Sequence, residues 1–195
     1  GLSGTLAGLA TAIALVFDAV IDPMIGSLSD AHKSKWGRRH PFMYAAAVPF
    51  GLAFYFLFVP PDGLGQMGLF VWLTVLAVAV RSTMAAYLVP HNALGAELTA
   101  DYHERTGIVG YRTVFGVLGG LVTFTLGLGY FMRATPEFPT GQLNPAAYPK
   151  YALFFAAASV IVVIVSALGT HSRIRHLLEP LHVHGAFNMR RVLHE

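Results

Sequence analysis

Two aspartates stand where hydrocarbon is expected. In "ALVFDAVIDPMIG", residues 14–26, Asp18 and Asp22 lie four positions apart inside an otherwise apolar run. At about 100° per residue, Thr11, Asp18, Asp22 and Ser29 fall within a stripe about 40° wide, so a helix here carries one polar face. An ionised carboxylate turned to lipid at mid-depth costs at least about 2.5–3.5 kcal/mol, which sends that face toward a bundle interior or a water-filled cavity. Two acids one turn apart suit a cation or proton site; the bland alternative is a polar seam satisfied by a neighbouring helix. Pro23 removes a backbone donor and can free a carbonyl near the carboxylates, or it simply kinks the helix.

A second apolar run carries Arg81, with Thr74 seven residues before it and Leu88 and Asn92 seven and eleven after, all on one helical face. A buried guanidinium is tolerable when paired, so an ion pair with Asp18 or Asp22 is expected; the competing reading is an Arg that snorkels to an interface. His91 follows Pro90 on the same helix and either contacts a substrate or packs between helices. Farther on, Arg112, Gly116, Gly119, Gly120, Thr123 and Gly127 share a small-residue face containing G-x-x-x-G. That face is expected to pack closely against another helix, with Arg112 the one functional candidate on it.

The elements that must hold these groups are membrane spans. Of the 195 residues, 55% are hydrophobic and only 12% charged, and mean hydropathy is +0.58; soluble domains carry about 25% charged residues. Five apolar segments, at about 5–28, 41–60, 67–96, 108–132 and 150–170, approach the roughly 20 residues needed to cross a bilayer. The first is no signal peptide, since it lacks a basic n-region and holds carboxylates. Lys33, Lys35, Arg38, Arg39, Arg105, Arg173, Arg175, Arg190 and Arg191 all fall on one side, which the positive-inside rule makes cytoplasmic, leaving the N-terminus outside.

The net charge of +3 therefore reflects topology; no aromatic-interleaved basic surface suggests nucleic acid. There is no cysteine, which excludes disulfides, zinc thiolates and thiol nucleophiles. His182 and His184 could chelate a metal, but two histidines without acids read as a solvated tail, and no metal or other cofactor is expected. Asp101, Glu104 and Arg105 read as a solvated loop with local ion pairs, and Phe187 to Leu193 as a surface-lying helix. Nothing resembles a P-loop, a dinucleotide fingerprint or a hydrolase elbow, so the chain is not expected to be an enzyme. The odd span number, the start at Gly1 and the end in "RRVLHE" suggest a piece of a longer chain.

"DAVIDPMIGSLSD…SKWGRRHPF" followed by "VPHNALGAELTADYHERT…YR" resembles the glycoside-pentoside-hexuronide:cation symporters of the major facilitator superfamily, the melibiose permease group. Gly26, Asp30, Gly37, Arg38 and Arg39 resemble the superfamily loop signature that joins the second and third helices and latches the cytoplasmic side. The resemblance implies an all-α membrane protein whose five helices correspond to helices two to six of the N-terminal half. Residues 1–170 would be that partial bundle and 171–195 the start of the central cytoplasmic loop. It implies symport of a sugar or glycoside with H⁺ or Na⁺ by alternating access, in a multi-pass bacterial inner-membrane protein. Its partners would be the bilayer, the substrate, the missing first helix and the C-terminal half.

By the same resemblance Asp18 and Asp22 bind the coupling cation, and Arg112 lies near the sugar and cation sites. Arg81, His91 and Asn92 join Arg112 as substrate or charge-pair candidates. Leu88 replaces a further acid of melibiose permease, and Ile21 a polar residue beside the second acid, which favours a proton site over a full sodium shell. Two other readings stay open: a lysolipid symporter of a related branch, and a non-transporting scaffold in which Asp18, Asp22 and Arg81 only hold helices together.

Overall fold

The computed structural model describes residues 1–99, 101–172 and 174. Five α-helices run through it: α1, Gly4–Ala31; α2, His40–Phe58; α3, Gln66–Glu97; α4, Tyr102–Leu126; and α5, Tyr148–His171. Each is long and apolar enough to cross a membrane, and no strand occurs among the described residues. The chain is thus an all-α, multi-pass membrane protein.

The helix ends follow from local chemistry. Ser3 caps α1 by accepting the Leu6 amide, and Asp101 caps α4 by accepting the amides of His103 and Glu104 through Oδ1. This cap starts α4 six residues before the expected 108. Asp101, Glu104 and Arg105 are therefore a capped helix start and not a loop of local ion pairs: Glu104 accepts from Thr99 Oγ1, and Arg105 donates to the Thr99 carbonyl. Pro41 sits in the first turn of α2, where its missing amide has no helical partner to lose. Pro23, Pro49 and Pro90 lie inside α1, α2 and α3, which continue through them.

The α1–α2 connection turns on Gly37, whose φ of +80° is left-handed territory that glycine enters without steric cost. After α4 the chain winds into a π-helical turn, Gly127–Phe131, and two 3₁₀ turns, Gly141–Leu143 and Pro145–Ala147. Aromatic rings gather there: Tyr151 packs against Phe58, Phe131 and Phe155, and Phe58 stacks on Tyr148.

The helices form a row in which α3 packs on α1 and on α2, while α2 also packs on α5. Alanines line the contacts, with Ala10, Ala14, Ala46, Ala47, Ala85, Ala152 and Ala167 buried, as expected where backbones must approach without a hydrophobic driving force from lipid. Met43, Leu94 and Ala167 form a buried knot at one end of α2, α3 and α5, flanked by Tyr44 and Tyr87. Helix α4 stands apart: it buries no residue and touches α3 only sparsely.

Candidate functional site

Mid-helix charges meet where α1 packs on α3. Arg81 Nη1 donates to Asp18 Oδ2 at 2.7 Å, with both side chains about one third exposed, so Arg81 is paired and does not snorkel away. The polar stripe of α1 does not turn inward as a whole. Ser29 is fully buried and donates to the Gly26 carbonyl, Asp18 is half-buried, and Thr11 and Asp22 are exposed. The reason is packing: α1 lies chiefly against α3, and nothing among the described residues covers the rest of its surface. Asp22 has no ion-pair partner among the described residues.

A second group links α3, α4 and α5. Arg112 Nη1 donates to Asn92 Oδ1 at 2.5 Å. His91 stacks on Tyr87 with ring centroids 5.1 Å apart, and the Tyr87 hydroxyl donates to Ser166 Oγ at 3.0 Å. His91 Nδ1 is buried without a hydrogen-bond partner. These residues border an open cleft of about 1280 Å³ between the three helices. The glycine face of α4 does not pack as expected, since a Cβ at Gly116, Gly119 or Gly120 would meet nothing within 4 Å.

The basic loop builds the third group. Arg39 reaches Asp30 at 2.9 Å and Glu97 at 2.8 Å, and Arg38 reaches the same Glu97 oxygen at 3.0 Å. Gly37 lets the loop turn back so that Arg38 and Arg39 face the end of α3, and Ile174 covers it, since a Cβ on Gly37 would lie 3.3 Å from Ile174 Cγ2. Gly26 lies opposite Val89, 3.7 Å from where its Cβ would stand. One acid from α1, one from α3 and two cations ahead of α2 thus tie three helices together.

Beside it lies a second polar knot, built on two imidazoles. His40, fully buried, shares a hydrogen bond between Nε2 and Thr170 Oγ1 at 3.1 Å, and the Tyr44 hydroxyl meets His171 Nδ1 at 3.1 Å. The two imidazoles pack edge to face, 5.5 Å between centroids.

Glu97, His40, Tyr44, Tyr87, Ser166 and Thr170 were not singled out by the sequence. Glu97 had a usable signal, being an acid that closes a span on the same side as an Arg pair. The others are polar residues within helices whose partners lie 79 to 130 positions away, and no local spacing reveals that. No trio of metal-ligating side chains occurs among the described residues. His182, His184, the surface helix near 187–193 and Arg173, Arg175, Arg190 and Arg191 lie outside the described residues.

The chain is similar to known proteins. An uncharacterized symporter of Synechocystis sp. is 33% identical over 175 residues, covering 86% of this chain and 31% of its own length. YagG of Escherichia coli (strain K12), named as a candidate glycoside/cation symporter, is 31% identical over 121 residues, 62% of this chain and 26% of that protein. The isoprimeverose transporter of Lactiplantibacillus pentosus is 24% identical over 178 residues, 90% and 36% respectively. The chain thus spans about a third of the length of the curated relatives it matches. The pattern of the family described as MFS/sugar transport protein matches residues 1–194, and the chain belongs to that family.

Proposed function

We propose that this chain forms part of a secondary active transporter that couples a sugar or glycoside to a cation, H⁺ or Na⁺, by alternating access. Residues 1–170 supply five helices of its N-terminal half, and a further helix and a second half complete the cavity. The observation that carries this reading is one carboxylate paired and its neighbour unpaired on the same helix: Asp18 is held by Arg81, while Asp22, one turn nearer the basic loop, has no cation beside it among the described residues.

The Asp18 carboxylate is already engaged by Arg81, whereas the Asp22 carboxylate, one turn away on the same helix, has no such partner among the described residues and is open to an arriving cation. Asp22 is therefore the group that loads and releases the coupling ion, and Asp18 fixes Arg81 and the approach of α3. The Arg38–Arg39–Asp30–Glu97 cluster is the conformational latch at the cytoplasmic ends of α1 and α3. The bilayer is the solvent for the outer helix faces, and the names of the relatives support the sugar class.

The test uses the full-length transporter reconstituted in vesicles. Asp22→Asn abolishes concentrative uptake yet retains sugar counterflow, because binding and reorientation survive when coupling is lost. Asp18→Asn impairs both, because it strands Arg81. Undiminished gradient-driven uptake in Asp22→Asn would sink the assignment.

A further inference from the structure

Four consecutive residues, Gly37 to His40, are gripped from two sides. The inner two, Arg38 and Arg39, reach Glu97 and Asp30. The outer two are held by the end of α5. His40 Nε2 meets Thr170 Oγ1 at 3.1 Å, and Gly37 lies under Ile174, whose Cγ2 is 3.3 Å from where a Gly37 Cβ would stand. His171 adds a bond to Tyr44, and its ring packs against that of His40.

The α5 contacts follow one another along the helix. Ser166 and Thr170 lie one turn apart, and Ile174 comes four residues later. In that order they meet Tyr87 of α3, His40 at the start of α2 and Gly37 of the loop. Thr170 Oγ1 also donates to the Ser166 carbonyl at 3.2 Å, which links the first two contacts within the helix. Tyr87, Ser166 and Thr170 border the cleft between α3, α4 and α5.

The two grips act on different parts of the chain. Glu97 and Asp30 hold the tips of long side chains, and an arginine tip can stay in place while its backbone shifts, because the side chain has many rotamers. A contact at Gly37 bears on the backbone itself, and His40 is a short side chain that is fully buried. The acids therefore fix where the two guanidinium groups end, and α5 fixes where they start. The hydrogen bonds of Thr170 go to His40, Ser166 and Ala167 and to none of the four charged residues, so any influence of Thr170 on the ion pairs passes through the 37–40 stretch.

Resting on the reading of the Arg38–Arg39–Asp30–Glu97 cluster as a latch, we propose that the last turn of α5, with Ile174, is the second half of that latch. Thr170 and Ile174 position the backbone that presents both arginines, and the Ser166–Tyr87 contact joins this half to the wall of the cleft. A displacement of α3 or α5 at the cleft then reaches the arginines along α5, without passing through an ion pair.

The experiment is a pair of double-mutant cycles on the full-length protein in mixed micelles, reading unfolding equilibrium constants. Thr170→Val keeps the side-chain shape but strands His40 Nε2, whereas Thr170→Ser keeps the hydroxyl. Because Thr170 acts through the arginines, Thr170→Val and Glu97→Gln together are expected to change the constant by at least about twofold less than the product of their separate effects, while Thr170→Val and Asp18→Asn multiply. Hydrogen exchange of the 34–40 backbone gives a second reading on folded protein. It is expected to be at least about threefold faster in Thr170→Val and in Ile174→Ala, and to stay within about twofold of the parent in Thr170→Ser.

Multiplication in both cycles, coupling of equal size in both, or 34–40 exchange that responds to neither variant overturns the inference. No substrate or cation enters these measurements, so such a failure leaves the transport reading to the Asp22→Asn test, and a failure there leaves the second half of the latch to this one.

Discussion

Charges at the loop end of the molecule and charges at mid-helix are treated in opposite ways. At the loop end, Asp30, Arg38, Arg39 and Glu97 share three ion pairs of 2.8–3.0 Å, and one Glu97 oxygen holds two guanidinium groups. At mid-helix, Asp18 and Arg81 make a single pair, while Asp22 and Arg112 make none among the described residues. The first arrangement ties helices together in one state. The second leaves Asp22 of α1 and Arg112 of α4 without a countercharge among the described residues, which is the condition under which a cation or a charged ligand changes the energy of the protein when it arrives.

The contrast can be broken by removing partners, and unfolding titrations in mixed micelles read each result as a free energy. Glu97→Gln should cost the most, about 2–4 kcal/mol, because it removes both charge-assisted bonds to Arg38 and Arg39 and leaves the nearly buried Arg39 with Asp30 alone. Asp18→Asn should follow at about 1.5–3 kcal/mol, since one charge-assisted bond is lost and Arg81 is left without a countercharge. An additive outcome for Asp18→Asn combined with Arg81→Gln would contradict a direct pair, for which coupling of at least about 0.5 kcal/mol is expected.

Smaller changes sharpen the comparison. Tyr44→Phe removes one hydrogen bond to His171 while keeping the ring, and should cost about 1 kcal/mol. Asp22→Asn should change stability by less than about 0.5 kcal/mol, because the side chain is exposed and unpaired. A loss with Asp22→Asn equal to that with Glu97→Gln would show that the two regions are not different in kind.

Much of this was legible in residue order. The number and approximate placement of the helices follow from apolar run length, and an ion pair between Arg81 and one of the two aspartates of α1 from buried charges of opposite sign on two polar faces; which aspartate it is came from the packing of α1 on α3. Partner choice was less visible. Glu97 gathers Arg38 and Arg39 from 59 and 58 residues away, a pairing set by how α3 leans on the loop and not by any spacing within it. The inward stripe of α1 failed at Thr11 and Asp22 because periodicity says which residues share a face, whereas what covers that face depends on neighbours. The same limit explains the glycines of α4: they mark a surface that permits close approach, and nothing among the described residues approaches it.

Helix α3 has 32 residues, about 48 Å at 1.5 Å per residue, well beyond the roughly 30 Å of a bilayer's hydrocarbon. Such an excess is relieved by tilt or by projection past the headgroups. Arg81 and Glu97 stand on this one rod, sixteen positions or about 24 Å apart, and the helix runs unbroken through Pro90 between them. A swing of about 10° about Arg81 would carry Glu97 roughly 4 Å sideways, farther than contacts of 2.8–3.0 Å can follow without parting. An ion pair thus sits partway along the rod and a second cluster at its tip, so that any tilt of α3 about Arg81 would be felt first as a loosening of the grip at Glu97.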